Sequence, residues 1–217
     1  MITGGFGMRK ILFVASEGVP FIKTGGLADV VGALPKCIDR EYYDVRVILP
    51  KYVCMTQEMK DRLTYKTHFY MDFHWQNQYV GIMEAEVGGV KYYFIDNEFY
   101  FNGFKPYCDN ALFEIEKFAF FSKAALSILP VIDFRPDLIH CHDWQTGLVP
   151  VHLKDRFHEG EFFRDIKSVM TIHNLKFQGV WDVKTIQRFS ELPDYYFTPD
   201  KLEAYKNGNM LKGGLVY

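Results

Sequence analysis

Cysteine is scarce in this sequence and badly placed for its usual structural tasks. Only Cys37, Cys54, Cys108 and Cys141 occur in 217 residues, widely spaced and with no C-x-x-C pair. That spacing excludes a disulfide frame, which small secreted domains use in place of a core. It also argues against a cysteine zinc site, which needs paired ligands at short spacing. No apolar run reaches membrane-spanning length. The N-terminal MITGGFGMRK lacks the apolar stretch of a secretory signal. Neither sign of charge dominates: 25 Lys and Arg face 27 Asp and Glu, for a net charge of −2. Such a balance gives no footing for nucleic acid or an anionic membrane surface. Repeats and low-complexity tracts are absent as well. The expected setting is a reducing cytoplasm.

What is present is core-forming material. Hydrophobic residues make up 48% of the chain and aromatics 17%, enough for one large domain. Residues 1–7 read as a disordered N-terminal extension, with the domain running over 8–217. Arg9 to Ala15 is apolar nearly throughout, as a strand covered on both faces must be. A helix over Leu27 to Asp39 and a strand over Asp44 to Pro50 complete a βαβ unit with parallel strands. The middle differs. Tyr65 to Phe73, Gln78 to Val87 and Val90 to Asp96 read as an antiparallel excursion, with a hairpin turn at Gly88-Gly89. A Phe-rich helix over Ala111 to Leu129 reads as core. The α/β rhythm resumes with strands at Asp137 to Cys141 and Lys167 to Ile172, separated by a helix over Leu148 to Phe157. The tail after Trp181 reads as aromatic and less regular. Its last run, NMLKGGLVY, reads as a helix ending and a new apolar segment beginning, as in a chain cut at a domain boundary or one whose terminal segment docks on the domain. The fold class is therefore α/β, a mostly parallel sheet flanked by helices with an antiparallel hairpin excursion.

The stretch KILFVASEGVPFIKTGGLADVVGALPK carries the first chemical signal. It reads as strand, glycine-containing loop and helix, an order that aims unpaired helix N–H groups and the positive dipole end at one point. Lys23 adds a full charge, and Gly25 and Gly26 allow close approach, so a phosphate-bearing ligand is expected. The pattern is neither G-x-G-x-x-G nor a P-loop, and a tight turn with a solvated lysine is the plain alternative. In an open parallel sheet, ligands bind beyond the carboxyl ends of the strands. Three loops leave strands at that edge: one with Lys23, Thr24, Gly25, Gly26 and Asp29, a second with His142, Asp143, Trp144, Gln145 and Gly147, a third with His173, Asn174, Gln178 and Gly179. Each candidate has two readings. Asp143 either serves the site or caps the helix after it. Asp29 serves the site or complements the helix dipole. Trp144 is core or a sugar-stacking platform. His140 and His142 share one face, as packed rings or as a metal pair.

Three motifs, KTGGLADVVGALPK, HCHDWQTGLVPVHL and TIHNLKFQGVW, in this order and at these separations, resemble the bacterial glycogen synthase and plant starch synthase family. The resemblance runs from Met8 to Tyr217. It implies the Rossmann-like N-terminal domain of a GT-B fold, whose C-terminal nucleotide-binding domain is not part of this sequence. It further implies transfer of glucose from ADP-glucose, a nucleotide sugar, to the non-reducing end of an α-1,4-glucan acceptor. The transfer retains anomeric configuration and uses no metal and no cofactor beyond the donor. By position, Lys23 resembles the lysine on the donor phosphates and Gly26 the glycine that admits the diphosphate; Gly25 and Asp29 lie on the same donor side. Asp143 and His173 resemble the active-site pair beside the reacting sugar, with Asn174, Gln178 and Trp144 lining the pocket. Phe101 takes the place of a tyrosine on the adenine side of the donor. The resemblance implies that the isolated chain folds but does not catalyse. Two rival readings are another retaining GT-B transferase with a different sugar donor, and a non-catalytic glucan-binding module. A nicotinamide dehydrogenase is disfavoured by the glycine spacing.

Overall fold

The computed structural model describes residues 7–217. The expected N-terminal extension thus lies outside the described residues, apart from an exposed Gly7. A seven-stranded sheet forms the frame, its strands in the spatial order 64–73, 76–87, 90–96, 43–50, 9–14, 138–142 and 167–171. Its centre is the expected βαβ unit: β1 (Arg9–Val14), α1 (Gly26–Cys37) and β2 (Tyr43–Pro50). β1 pairs in parallel with β2 on one side and with β6 (Leu138–His142) on the other, and β6 pairs in parallel with β7 (Lys167–Thr171). The register places Val14 opposite Cys141, and His142 opposite Thr171. The strands therefore end together, and the loops after them share one rim.

The middle segment is less of an excursion than its sequence implies. β3 (Thr64–Phe73) and β4 (Gln76–Val87) form the antiparallel margin, but β5 (Val90–Asp96) is antiparallel to β4 and parallel to β2. It thus joins the central sheet. Both turn glycines between β4 and β5 have positive φ, 59° at Gly88 and 74° at Gly89, as a tight hairpin with right-handed strand twist requires.

α4 (Ala111–Val131) is the central helix, begun by Asn110, whose Oδ1 accepts the Phe113 N–H at 3.1 Å. It is apolar around most of its circumference because it is covered on most sides. Phe118, Phe120 and Phe121 are buried in the main core. Three short helices precede the tail, α2 (Gln57–Asp61), α3 (Glu98–Phe101) and α5 (Leu148–His152), the last continuing as a wider turn over Leu153–Phe157.

The tail is more regular than expected. β8 (Val180–Asp182), β9 (Glu203–Ala204) and β10 (Asn207–Asn209) form a second, antiparallel sheet around α6 (Val183–Ser190). The final run does not end a helix but starts one. Asn209 caps α7 (Met210–Val216), its Oδ1 accepting the Lys212 N–H at 2.9 Å.

Candidate active site

The rim of the sheet opens into a cleft of ≈ 990 Å³. The three loops meet there, with a fourth segment around Tyr107. Gly25, Gly26, Asp143, Trp144, His173, Asn174 and Gln178 all line it, so seven of the ten residues singled out in the sequence converge.

On one wall stands the start of α1. Among the described residues no side chain caps this helix, so its first N–H groups and its positive dipole end are available to an anion. The glycines are there for room. Gly25 has ordinary extended angles (φ −150°, ψ −169°), open to any residue. A Cβ on it would come no nearer than 3.8 Å to the protein, and one on Gly26 would meet nothing within 4 Å. Side chains at these positions would occupy the cleft itself. Lys23 and Asp29 do not line it; they form a half-exposed ion pair at 2.7 Å beside the loop. Asp29 thus holds the lysine as well as favouring the helix dipole.

The opposite wall is organised by Asp143. It is 6% exposed and does not cap the turn that follows it, which removes the capping alternative. Its Oδ1 instead accepts the backbone N–H groups of His173 at 2.7 Å and Asn174 at 3.2 Å. The loop after β6 is thereby tied to the loop after β7. The backbone at Asp143 (φ 57°, ψ −178°) borders a region that only glycine occupies freely. Strain of this kind gathers at functional sites, where surrounding structure enforces it.

His140, His142 and His173 stack behind this wall. Ring centroids are 4.2 Å apart for the first pair and 5.2 Å for the second. His140 Nε2 meets Thr171 Oγ1 at 2.7 Å, and His142 Nδ1 meets His173 Nε2 at 2.9 Å. The rings of His140 and His142 lie face on face, the packed arrangement of the two weighed for them. Burial, reinforced by the neighbouring His140 and His173, lowers the His142 pKa to about 2; burial and His173 lower that of His140.

Trp144 is mainly core: it is 8% exposed, with an edge-on contact to Phe118 at 5.2 Å. Gly179 (φ 62°) lies so close that a Cβ there would sit 2.3 Å from the indole Cε3. Phe101 requires a correction. It is 1% exposed, packs against Tyr52, Phe120 and Phe121, and does not line the cleft. Tyr107, six residues later, lines it instead.

A model described as the starch synthase catalytic domain matches residues 10–217. The chain belongs to this family. Within the starch synthase family, it is 64% identical over 211 residues to a glycogen synthase of Lachnospira eligens and 63% identical over 210 residues to one of Lachnoclostridium phytofermentans. Each alignment covers 97% of this chain and 44% of the relative. The chain therefore spans less than half the length of these curated relatives. Among solved structures, the catalytic domain of starch synthase IV from Arabidopsis thaliana, bound to ADP and acarbose, superposes with a TM-score of 0.86 at 28% identity. That match covers 97% of this chain and 43% of the plant chain.

Sequence reasoning missed a second layer of this starch synthase domain. Glu17 accepts the Thr24 N–H and so braces the glycine loop. The Tyr107 hydroxyl lies 2.7 Å from Ser16 Oγ and donates to Glu17 Oε1 at 3.3 Å. The segment carrying Tyr107 is pinned by a buried ion pair: Lys117 contacts Glu114 and donates to the Pro106 carbonyl, and Glu114 accepts the Cys108 N–H. The available signal was charge inside an apolar helix, since Glu114 and Lys117 interrupt a run that otherwise reads as core.

Proposed function

We propose that this chain forms one wall of a glucosyltransferase site. The enzyme would move glucose from ADP-glucose to the non-reducing end of an α-1,4-glucan with retention. The observation that carries the reading is the uncapped start of α1, which faces the Asp143–His173–Asn174 wall across one cleft. The ADP and acarbose named with the Arabidopsis starch synthase are a nucleoside diphosphate and an oligosaccharide-like molecule, the two ligand classes this cleft would take.

Breaking the bond between glucose and diphosphate builds negative charge on the leaving group and positive charge on the sugar ring. The free N–H groups at Gly25 and Gly26 would stabilise the first. Lys23 would add its charge after leaving Asp29. The Asp143-braced loop would hold the sugar, placing His173 and Asn174 against it. Such a division of labour needs neither a resident metal nor a cofactor. A second domain, supplied by the remainder of a full-length enzyme, would close the site. Among the described residues no helix is long and apolar enough to cross a membrane, and the four cysteines are free. Both facts suit a cytoplasmic enzyme.

Transfer of labelled glucose from ADP-glucose to glycogen tests this reading in a protein extended to the relatives' full length. Activity there, together with losses of orders of magnitude in Lys23→Ala and His173→Ala, is the expected result. Near-normal turnover in both variants, or transfer from UDP-glucose alone, would overturn it.

A further inference from the structure

His142 is fully buried, between His140 on its own strand and His173 across the sheet edge, with Phe13 of β1 stacked on it at 5.5 Å. Its Nδ1 faces His173 Nε2 at 2.9 Å. Its Nε2 is buried and has no hydrogen-bond partner among the described residues. A neutral imidazole carries one N–H and one bare nitrogen, so this contact permits two arrangements. If His173 donates from Nε2, the His142 proton must sit on its own Nε2, as a buried donor facing no acceptor. If His142 donates from Nδ1, only a bare nitrogen is left unpartnered inside. Orphaned buried N–H groups are rarer in native structures than under-satisfied acceptors, so the second arrangement is favoured.

We propose that His142 is a positioning residue. Its Nδ1–H donates to His173 Nε2 and fixes His173 as the neutral tautomer with its proton on Nδ1. The depth of burial supplies the neutral state of His142 that this requires. The backbone N–H of His173 goes to Asp143 and its Nε2 to His142. What the side chain then offers a molecule in the cleft is a single ring N–H. Such a group recognises an acceptor oxygen, such as a sugar hydroxyl, at a fixed place and does not act as a base. The tautomer stands independently of any activity; only the sugar as its partner rests on the proposed function.

Long-range ¹H–¹⁵N correlations of the histidine rings at neutral pH read the tautomer directly, on the unliganded protein. The expected result is a protonated Nδ1 and a bare Nε2 on His173. His142→Asn keeps a donor near the original Nδ1 and should preserve that pattern. His142→Phe keeps an aromatic stack but no donor, and should release His173 toward the Nε2–H form that imidazole prefers in water. A protonated Nε2 on His173 in the unmutated protein overturns the proposal, as does an unchanged tautomer in His142→Phe. Should His142→Phe not fold, the unmutated spectrum and His142→Asn decide. No substrate enters the measurement, so a failure of the glucosyl-transfer reading is registered separately.

Discussion

Replacing Asp143 separates two opposing contributions at one position. In Asp143→Ala, the N–H groups of half-buried His173 and exposed Asn174 lose a shared acceptor that is itself 6% exposed. Leaving buried donors unsatisfied costs ~1–3 kcal/mol each. One of these bonds is long at 3.2 Å and belongs to exposed Asn174, and water from the cleft would reach the vacated space, so the expected loss is about 1–3 kcal/mol in total. Alanine also keeps a Cβ at a backbone conformation that costs ~1–3 kcal/mol for any residue but glycine. Asp143→Gly loses the same hydrogen bonds but sheds the strain, against ~0.4–1 kcal/mol of extra unfolded-chain entropy. The glycine variant should therefore be about 1–2 kcal/mol more stable than the alanine variant, by the difference of those two terms. Urea unfolding followed by tryptophan emission measures both, with an unchanged m-value required for the comparison. Equal stabilities, or a less stable glycine variant, would refute the argument that Asp143 is held under strain by its bonds to the neighbouring loop.

Gly179→Ala meets both a positive φ and the face of Trp144, so it should destabilise the domain by about 2–3 kcal/mol by strain and overpacking; a midpoint within error of the parent would contradict the close approach. Lys117→Met strips one partner from a buried pair and should cost ~3–5 kcal/mol. Faster hydrogen exchange at the Cys108 amide would show the Tyr107 segment loosening with it, whereas unchanged exchange would disconnect the pair from that segment. Stability should also fall in mild acid. His142 titrates at about 2 and His152 at about 3 in the folded protein, against 6.5 as the ordinary value, in both cases chiefly through burial. Because the unfolded chain then binds protons that the folded state refuses, stability is complete above 6.5 and declines as pH drops below it. The slope approaches ~1.4 kcal/mol per pH unit for each histidine. Urea midpoints that stay flat from neutrality down to mild acid would contradict their burial as neutral rings.

The βαβ frame and the three rim loops were legible because each rests on a short-range pattern: apolar strands, a helical period and polar residues where a strand stops. That suffices to bring Asp143, His173 and Gly26 to one edge. What it cannot convey is which atoms of neighbouring loops meet. Asp143 suited a helix cap by local rules, and only the register of β6 against β7 turns its carboxylate toward the backbone of residue 173. Phe101 sits in FYFNGF, where adjacent aromatics look equivalent; packing on Tyr52 and Phe120 takes Phe101 and Tyr100 inward and leaves Phe99 exposed. The tail was obscure because strands of two and three residues are shorter than any hydrophobic period. Its helix starts were nevertheless marked, by Asp182 ahead of Thr185 and Asn209 ahead of Lys212.

The wedging of Trp144 between Phe118 and Gly179 gives the protein an optical reporter of its own. Trp75 is 85% exposed on the β3–β4 turn, whereas Trp144 borders the cleft with only an edge uncovered. An indole in water emits to the red and is open to collisional quenchers; one in an aromatic pocket emits to the blue and is shielded. Iodide should therefore silence Trp75 first and leave a blue component shared by Trp144 and the half-buried Trp181, of which only Trp144 lines the cleft. Occupancy of the cleft becomes a colour change, with no label attached.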